Sequence, residues 1–269
     1  MLTASRALTT AADSEALPRV QELEQLHAYG FMPRRGQLLM VAGQPGAGKS
    51  TFTNWYAMRL GLPALIFSAD QDSFTSITRL AAAMTGYTID NVSQAVNSGG
   101  FGYFSDILAE SKIQFCFDSS PTLDDMADEL SAYVELWDRY PDIIVVDNLL
   151  NIEAELGEEF AGLRLVAKEL HRMARETNAA VIVVHHTREE SDPSCTPSRR
   201  EIQGKVAQLP ERILTVAYNQ DEGSFRIAPV KNRGGRQDPT GKQFFRLSAY
   251  PDRASFGPYM GHPYGGSHG

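Results

Sequence analysis

The chain is poor in cysteine, has no long apolar run and carries no surplus of positive charge. Its 269 residues include 2 cysteines, Cys116 in an apolar stretch and Cys195 in a polar one. That excludes a disulfide framework and fits a cytoplasmic setting. No stretch is long enough to span a membrane. Met1 to Leu17 mixes Thr, Ser, Arg, Asp and Glu without an apolar centre, unlike a secretory signal. The formal charge is −8, from 25 Lys and Arg against 33 Asp and Glu. Nucleic acid is therefore not held by overall attraction, and such a partner would need a local basic patch. His262 and His268 lack ligand spacing, which argues against a metal site at the C-terminus. No internal repeat is present. Apolar residues make up 42% of the chain, enough for the core of one large α/β domain.

Residues 1–30 read as a flexible segment followed by an amphipathic helix. Leu17, Val20, Leu23 and Leu26 recur at helical spacing between Ala16 and Tyr29. That helix packs either on its own domain or on a neighbouring subunit. From 31 to 249 strands alternate with helices. Apolar runs at 38–42, 64–69, 113–117, 142–148 and 180–184 read as strands, with helical patterns at 52–60, 73–84, 88–97, 103–110, 121–137 and 158–177. Stretches 212–218, 225–230 and 243–247 read as later, partly antiparallel strands. Residues 188–205 read as a mobile basic loop, and 250–269, rich in Gly, Pro and His, as a disordered tail. The alternation predicts an α/β fold whose central sheet is mainly parallel and flanked by helices, with chemistry at the C-terminal strand ends.

The chemistry centres on Gly43, Gln44, Pro45, Gly46, Ala47, Gly48, Lys49, Ser50 and Thr51. The run follows an apolar strand and opens a helix, the context a phosphate-binding P-loop requires. Its N–H groups and the helix N-terminus would cradle the phosphates of ATP. Lys49 would reach the β- and γ-phosphates, and the Ser50 hydroxyl would bind Mg²⁺. A Gly-rich turn that binds nothing is the competing reading, and the completeness of the pattern argues against it. Asp147 ends the clearest buried strand, as an acid holding Mg²⁺ does; the plainer alternative is a cap on the following loop. Hydrolysis needs a carboxylate to orient water. Asp70 is favoured over Asp72, which could instead cap the next helix. One of His185 and His186 faces the nucleotide, because strand neighbours alternate. Lys231, Arg233 and Arg236 on a Gly-containing turn are either a solvated hairpin tip or a charge clamp given to a neighbouring subunit.

Taken in order, Gly43–Thr51, Phe67–Asp70, Ile143–Asn148, Val181–Thr187, Arg200–Leu214 and Lys231–Gly241 make the chain resemble a known family. This is the RecA-like motor domain of DnaB-type hexameric replicative helicases, with the related RepA-type hexameric ATPases. The resemblance spans about Gln37 to Phe245 and implies a RecA-like P-loop ATPase. It implies that Asp70 stands where the family has a catalytic glutamate and that His186 stands at its γ-phosphate sensor. It further implies that the loop carrying Arg199, Arg200 and Lys205 touches single-stranded DNA. Lys231 and Arg233 match a Lys-x-Arg pair that reaches the next subunit's nucleotide. The family's N-terminal primase-binding domain has no counterpart here. The expectation is a phage- or plasmid-type, ring-forming helicase, a hexamer in DNA replication with loader or replication proteins as partners. The rival is a DNA-binding ATPase that does not translocate: a loader, recombination mediator or regulatory oligomer. A small-molecule kinase explains neither the basic loop nor the Lys-x-Arg turn.

Overall fold

The computed structural model describes residues 15–153, 159–188 and 194–260. Nine strands form one sheet: β1 (Leu38–Gly43), β2 (Ala64–Ser68), β3 (Ile113–Cys116), β4 (Ile143–Asp147), β5 (Ala180–His186), β6 (Arg212–Asn219), β7 (Ser224–Asn232), β8 (Phe245–Tyr250) and β9 (Ser255–Pro258). Their order is β3-β2-β4-β5-β1-β6-β7-β8-β9. The first six in that order pair parallel. The last three pair antiparallel. This is the RecA-like α/β arrangement expected, with a mainly parallel sheet and late antiparallel strands.

The helices are α1 (Glu24–Ala28), α2 (Lys49–Leu60), α3 (Ser73–Thr85), α4 (Ile89–Asn97), α5 (Phe101–Ala109), α6 (Leu123–Trp137) and α7 (Glu159–Thr177). They cover both sheet faces, which is why the inner strands are continuously apolar rather than alternating with polar residues. Strand periodicity divides the core in two. Leu39, Val41, Ile143, Val145 and Ile182 face Phe52, Trp55 and Leu60 of α2. Their strand neighbours Leu38, Met40, Ile144, Val146 and Val183 face Met126 of α6 and Val166 and Leu170 of α7. Helix starts follow local chemistry: Asp72 caps α3 by accepting from the Thr75 amide, and Thr122 with Asp125 forms a capping box on α6.

Three expectations change. The helix expected from Ala16 to Tyr29 shrinks to a 3-10 turn, Gln21–Leu23, and the five-residue α1. Ala16 instead bridges Arg34, and the Leu17 amide donates to the Pro33 carbonyl at 2.9 Å. Pro18 disfavours helix at the residue before it and has no N–H to give. Leu17, Val20, Leu23 and Leu26 are all buried against this chain's own sheet and α2. The basic loop is not uniformly irregular: 3-10 turns run over Arg199–Glu201 and Gln203–Lys205, and Ile202 is buried. Residues 189–193 of that loop lie outside the described residues.

The tail expected to be disordered from 250 is ordered to 260. β9 hydrogen-bonds to β8, and Phe256 packs its ring against Phe52, Trp55 and Phe225 with centroids 4.7–5.8 Å apart. Its single buried aromatic ring supplies the apolar area that composition alone hid. Residues 261–269 lie outside the described residues. Phe256→Ala should lower stability by about 3 kcal/mol, since it empties a ring-sized space in the core. Urea unfolding checks this, and a change within about 0.5 kcal/mol, as for a surface site, would contradict the packing described.

Candidate nucleotide-binding site

The order β2-β4-β5-β1 sets four strand ends side by side, and each delivers one chemical group. β1 ends in Gly43, where a Cβ would lie 2.7 Å from the Val216 carbonyl oxygen, so β6 can approach only a glycine. The loop then turns through Gly46 and Gly48, with φ of +74° and +82°. α2 starts at Lys49, directly after that turn. The Lys49 side chain bends back over the loop and donates to the Gln44 carbonyl at 2.8 Å. Burial holds its pKa below the usual lysine value, while the carboxylates of Asp147 and Asp70 pull it up.

Asp147 is the last residue of β4 and is almost wholly buried. Burial raises its carboxyl pKa to about 6. A hydrogen bond from Ser50 and the Lys49 charge act the other way, and the nearby Asp70 adds to the rise. Among the described residues its Oδ1 has no hydrogen-bond partner. An orphaned, buried acceptor beside a serine hydroxyl fits a divalent cation, whose ligands here would be oxygens.

Asp70 follows β2 at the rim of the same hollow, and Asn148 ties it to the rest. Asn148 Oδ1 accepts from the Leu150 amide at 2.8 Å, which fixes the side-chain amide orientation. Its Nδ2 therefore donates outward, to Asp70 Oδ2 at 3.0 Å, and lies 3.5 Å from His186 Nε2. That contact makes His186 Nε2 the acceptor and leaves the ring proton on Nδ1, which has no partner among the described residues. Burial lowers the His186 pKa, so the ring is a neutral donor. The hollow is about 330 Å³ and includes Lys49, Ser50, Thr51, Asp70, Asp147 and His186. Asp72 is absent from its lining, being occupied with the cap of α3.

His185 faces away. It is fully buried, its Nε2 donates to the Gln203 carbonyl at 3.1 Å, and burial drops its pKa to about 4. The Gln203 amide returns a bond to the Thr187 carbonyl at 3.2 Å. The two adjacent imidazoles thus look in opposite directions, one to the hollow and one to the 199–205 turns.

A second, open hollow of about 680 Å³ is lined by Arg199, Lys231, Arg233 and Arg236 and shares no residue with the first. Lys231 Nζ donates to the Ala207 and Gln208 carbonyls at 3.0 and 2.7 Å. Burial, then the charges of Arg233 and Arg199, bring its pKa down to about 8. The Arg233 side chain is 60% exposed. Arg200 and Lys205 are exposed on the turns, whereas Arg199 turns toward Lys231 instead.

Residues 3–192 match the protein family described as an AAA domain. The chain belongs to this AAA family. It is 36% identical over 227 residues to the gene 65 protein of Mycobacterium phage L5, covering 81% of this chain and 85% of that one. The gene 65 protein of Mycobacterium phage D29 is 35% identical over 223 residues, covering 80% and 96%. The DNA repair protein RadA of Brucella abortus is 26% identical over 252 residues, covering 87% of this chain and 45% of that protein. Among solved structures, an isolated ATPase domain superposes with a TM-score of 0.77 at 15% identity, covering 95% of this chain and 98% of that one. A DnaB-like replicative helicase superposes at 0.75 with 15% identity, covering 96% and 67%. The fold is that of a RecA-like, DnaB-type ATPase domain.

Some residues of the AAA domain's hollow carried no sequence signal. Arg79, from the middle of α3, lines it and donates to Gln71 Oε1 at 3.0 Å. A neighbouring apolar hollow of about 230 Å³ adjoins Gly48 and Thr51 and is walled by Tyr218, Phe225, Tyr250 and Phe256. Asn148 was open to view, one residue past the strand-terminal acid, but only its side-chain geometry reveals the bridge.

The raised Asp147 pKa has a consequence in the metal- and nucleotide-free protein. The folded state holds the proton up to about pH 6, whereas the unfolded chain releases it near 3.8. Stability attributable to this group is therefore lost as pH rises through that window, by on the order of 2 kcal/mol. In chelator, Asp147→Asn should raise Tm at pH 7.5 and should lose that advantage at pH 4. An equal Tm for the two proteins at both pH values would contradict the burial assigned to this carboxylate.

Proposed function

We propose that this chain is a ring-forming, ATP-dependent motor on single-stranded DNA, a phage-type relative of DnaB-like helicases acting in the cytoplasm. The observation that carries the reading is the separation of two half-sites. One hollow holds a complete phosphate cradle, two carboxylates and a neutral histidine. The cations suited to transferring phosphate charge line another hollow. A homo-oligomer, hexameric in the DnaB manner, would bring the second hollow of one subunit to the first hollow of the next.

In this reading the P-loop amides and Lys49 bind the phosphates of ATP. The neighbouring aromatic-walled hollow is open to take the base. Ser50 and Asp147 would hold Mg²⁺, which when bound neutralises phosphate charge. Asp70, fixed by Asn148, orients the attacking water and accepts its proton. His186 donates from Nδ1 toward the γ-phosphate and loses that partner on hydrolysis. Arg233 and Lys231 meet the phosphates of the adjoining subunit; a planar guanidinium suits spread charge better than an ammonium does. Arg200 and Lys205 meet the DNA backbone, and the bond from His185 to Gln203 links their turn to the sensor strand. Loader or replication proteins are the partners this role implies.

A second reading has one observation in its favour, the similarity to the DNA repair protein RadA. It is an ATPase that assembles on DNA without translocating. Oligo-dT should stimulate hydrolysis under both readings, and strand displacement on a forked duplex should occur only for the motor. Hydrolysis indifferent to DNA would overturn both. Replacing Arg200 and Lys205 by Ala should lower the slope of log affinity against log salt on single strands by about 1.4, or ~0.7 per phosphate contact. An unchanged slope would remove this turn from the DNA path.

A further inference from the structure

Glu211, at the entrance to β6, is a buried acid that the nucleotide chemistry above does not use. Its side chain is 6% exposed, yet it meets three elements at once. Oε2 accepts from the amide of Leu38, the first residue of the P-loop strand, at 3.1 Å. Oε1 lies 2.7 Å from His171 Nε2 on α7 and 3.5 Å from Arg233 Nη1. The main chain repeats the link, because the Arg233 amide donates to the Glu211 carbonyl at 3.0 Å. Nearby, Glu211 also acts electrostatically on Lys231 and Arg212.

A carboxylate in this position is an expensive way to fasten a strand. Burying its charge costs several kcal/mol unless partners compensate, and a neutral glutamine could accept the Leu38 amide equally well. The charge has a use only toward cations, and of the two that touch Oε1 only Arg233 reaches into the open basic hollow. Without a fixed partner, an exposed arginine samples many rotamers, and ordering it at the moment of use costs conformational entropy. A buried carboxylate braced from behind by His171 restricts that sampling while leaving most of the guanidinium free for a phosphate.

We infer that Glu211 is a positioning residue for Arg233: its buried carboxylate, held by the Leu38 amide and His171, pre-aims the guanidinium at the nucleotide of a neighbouring subunit. This rests on the reading of Arg233 as the cation supplied between subunits. The carboxylate touches no substrate and acts only through the arginine. Because the same side chain is bonded to the foot of β1, the aim of the donated cation is tied to the strand that carries this subunit's own P-loop.

The test is steady-state ATP hydrolysis by the full chain with saturating oligo-dT. Glu211→Gln keeps the shape and the acceptor for Leu38 but turns an amide or a neutral oxygen toward Arg233. It should lower kcat roughly 10- to 100-fold, the scale of a misaligned catalytic group, with KM unchanged. The decisive readout is the same substitution in an Arg233→Ala background, where it should cost nothing further. If Glu211→Gln does not fold, His171→Ala removes the brace instead and should lower kcat several-fold in the same Arg233-dependent way. Wild-type or raised kcat in the folded variant, or an equal loss with and without Arg233, would overturn the inference. If Arg233→Ala itself turns over like wild type, the intersubunit reading fails. If Arg233→Ala is slow but Glu211→Gln is not, only the positioning role fails.

Discussion

Everything at the nucleotide site depends on one constraint, the lateral order of four parallel strands. β2, β4, β5 and β1 are neighbours in the sheet although they are not neighbours in sequence. Their shared direction puts all four C-terminal ends on one edge. Gly43 to Ser50, Asp70, Asp147 and His186 then converge without any loop having to reach far. The apolar cores on both faces hold this order, because shifting a strand by one residue would turn its buried side chains to the wrong face. The chemistry therefore rests on strand packing.

The empty site is electrostatically unfinished. Two carboxylates stand near one buried lysine, burial raises the Asp147 pKa and lowers that of Lys49, and an Asp147 oxygen and a His186 nitrogen lack partners among the described residues. Such groups are costly in a finished core and useful where a ligand completes them. Asn148 is the part that is already complete. With its amide orientation set by Leu150, it ties the acid ending one strand region to the imidazole ending another.

Most of this site was legible in the sequence because strands impose a simple grammar. An apolar run ending in a polar residue marks a strand end, and period-two alternation separates His186 from His185. The P-loop needs no more than its own residues and context. What the sequence hid depends on longer-range geometry. Arg79 enters the hollow from the middle of a helix, and Tyr250 enters from a strand edge beyond the expected domain limit. Arg199 sits in the same 3-10 turn as Arg200, yet only the fold shows that it joins Lys231 rather than the exposed face. Glu211 gave no signal, since one acid before a strand is ordinary until its three partners are seen. The N-terminal helix was overread because helical spacing of four leucine and valine residues concealed the interruption at Pro18.

The central claim is that a working ATPase site is assembled from two subunits. Its most direct test mixes two inactive variants, Lys49→Ala with a spoiled cradle and Arg233→Ala with a missing cation, and measures ATP hydrolysis across mixing ratios with oligo-dT. Each variant mixed with wild type calibrates how far one dead site silences its neighbours. The account predicts that activity absent from either variant alone reappears in the mixture, where an intact cradle meets an intact Arg233. If wild-type mixtures tolerate inactive subunits and the two variants never complement, the site is not shared between subunits.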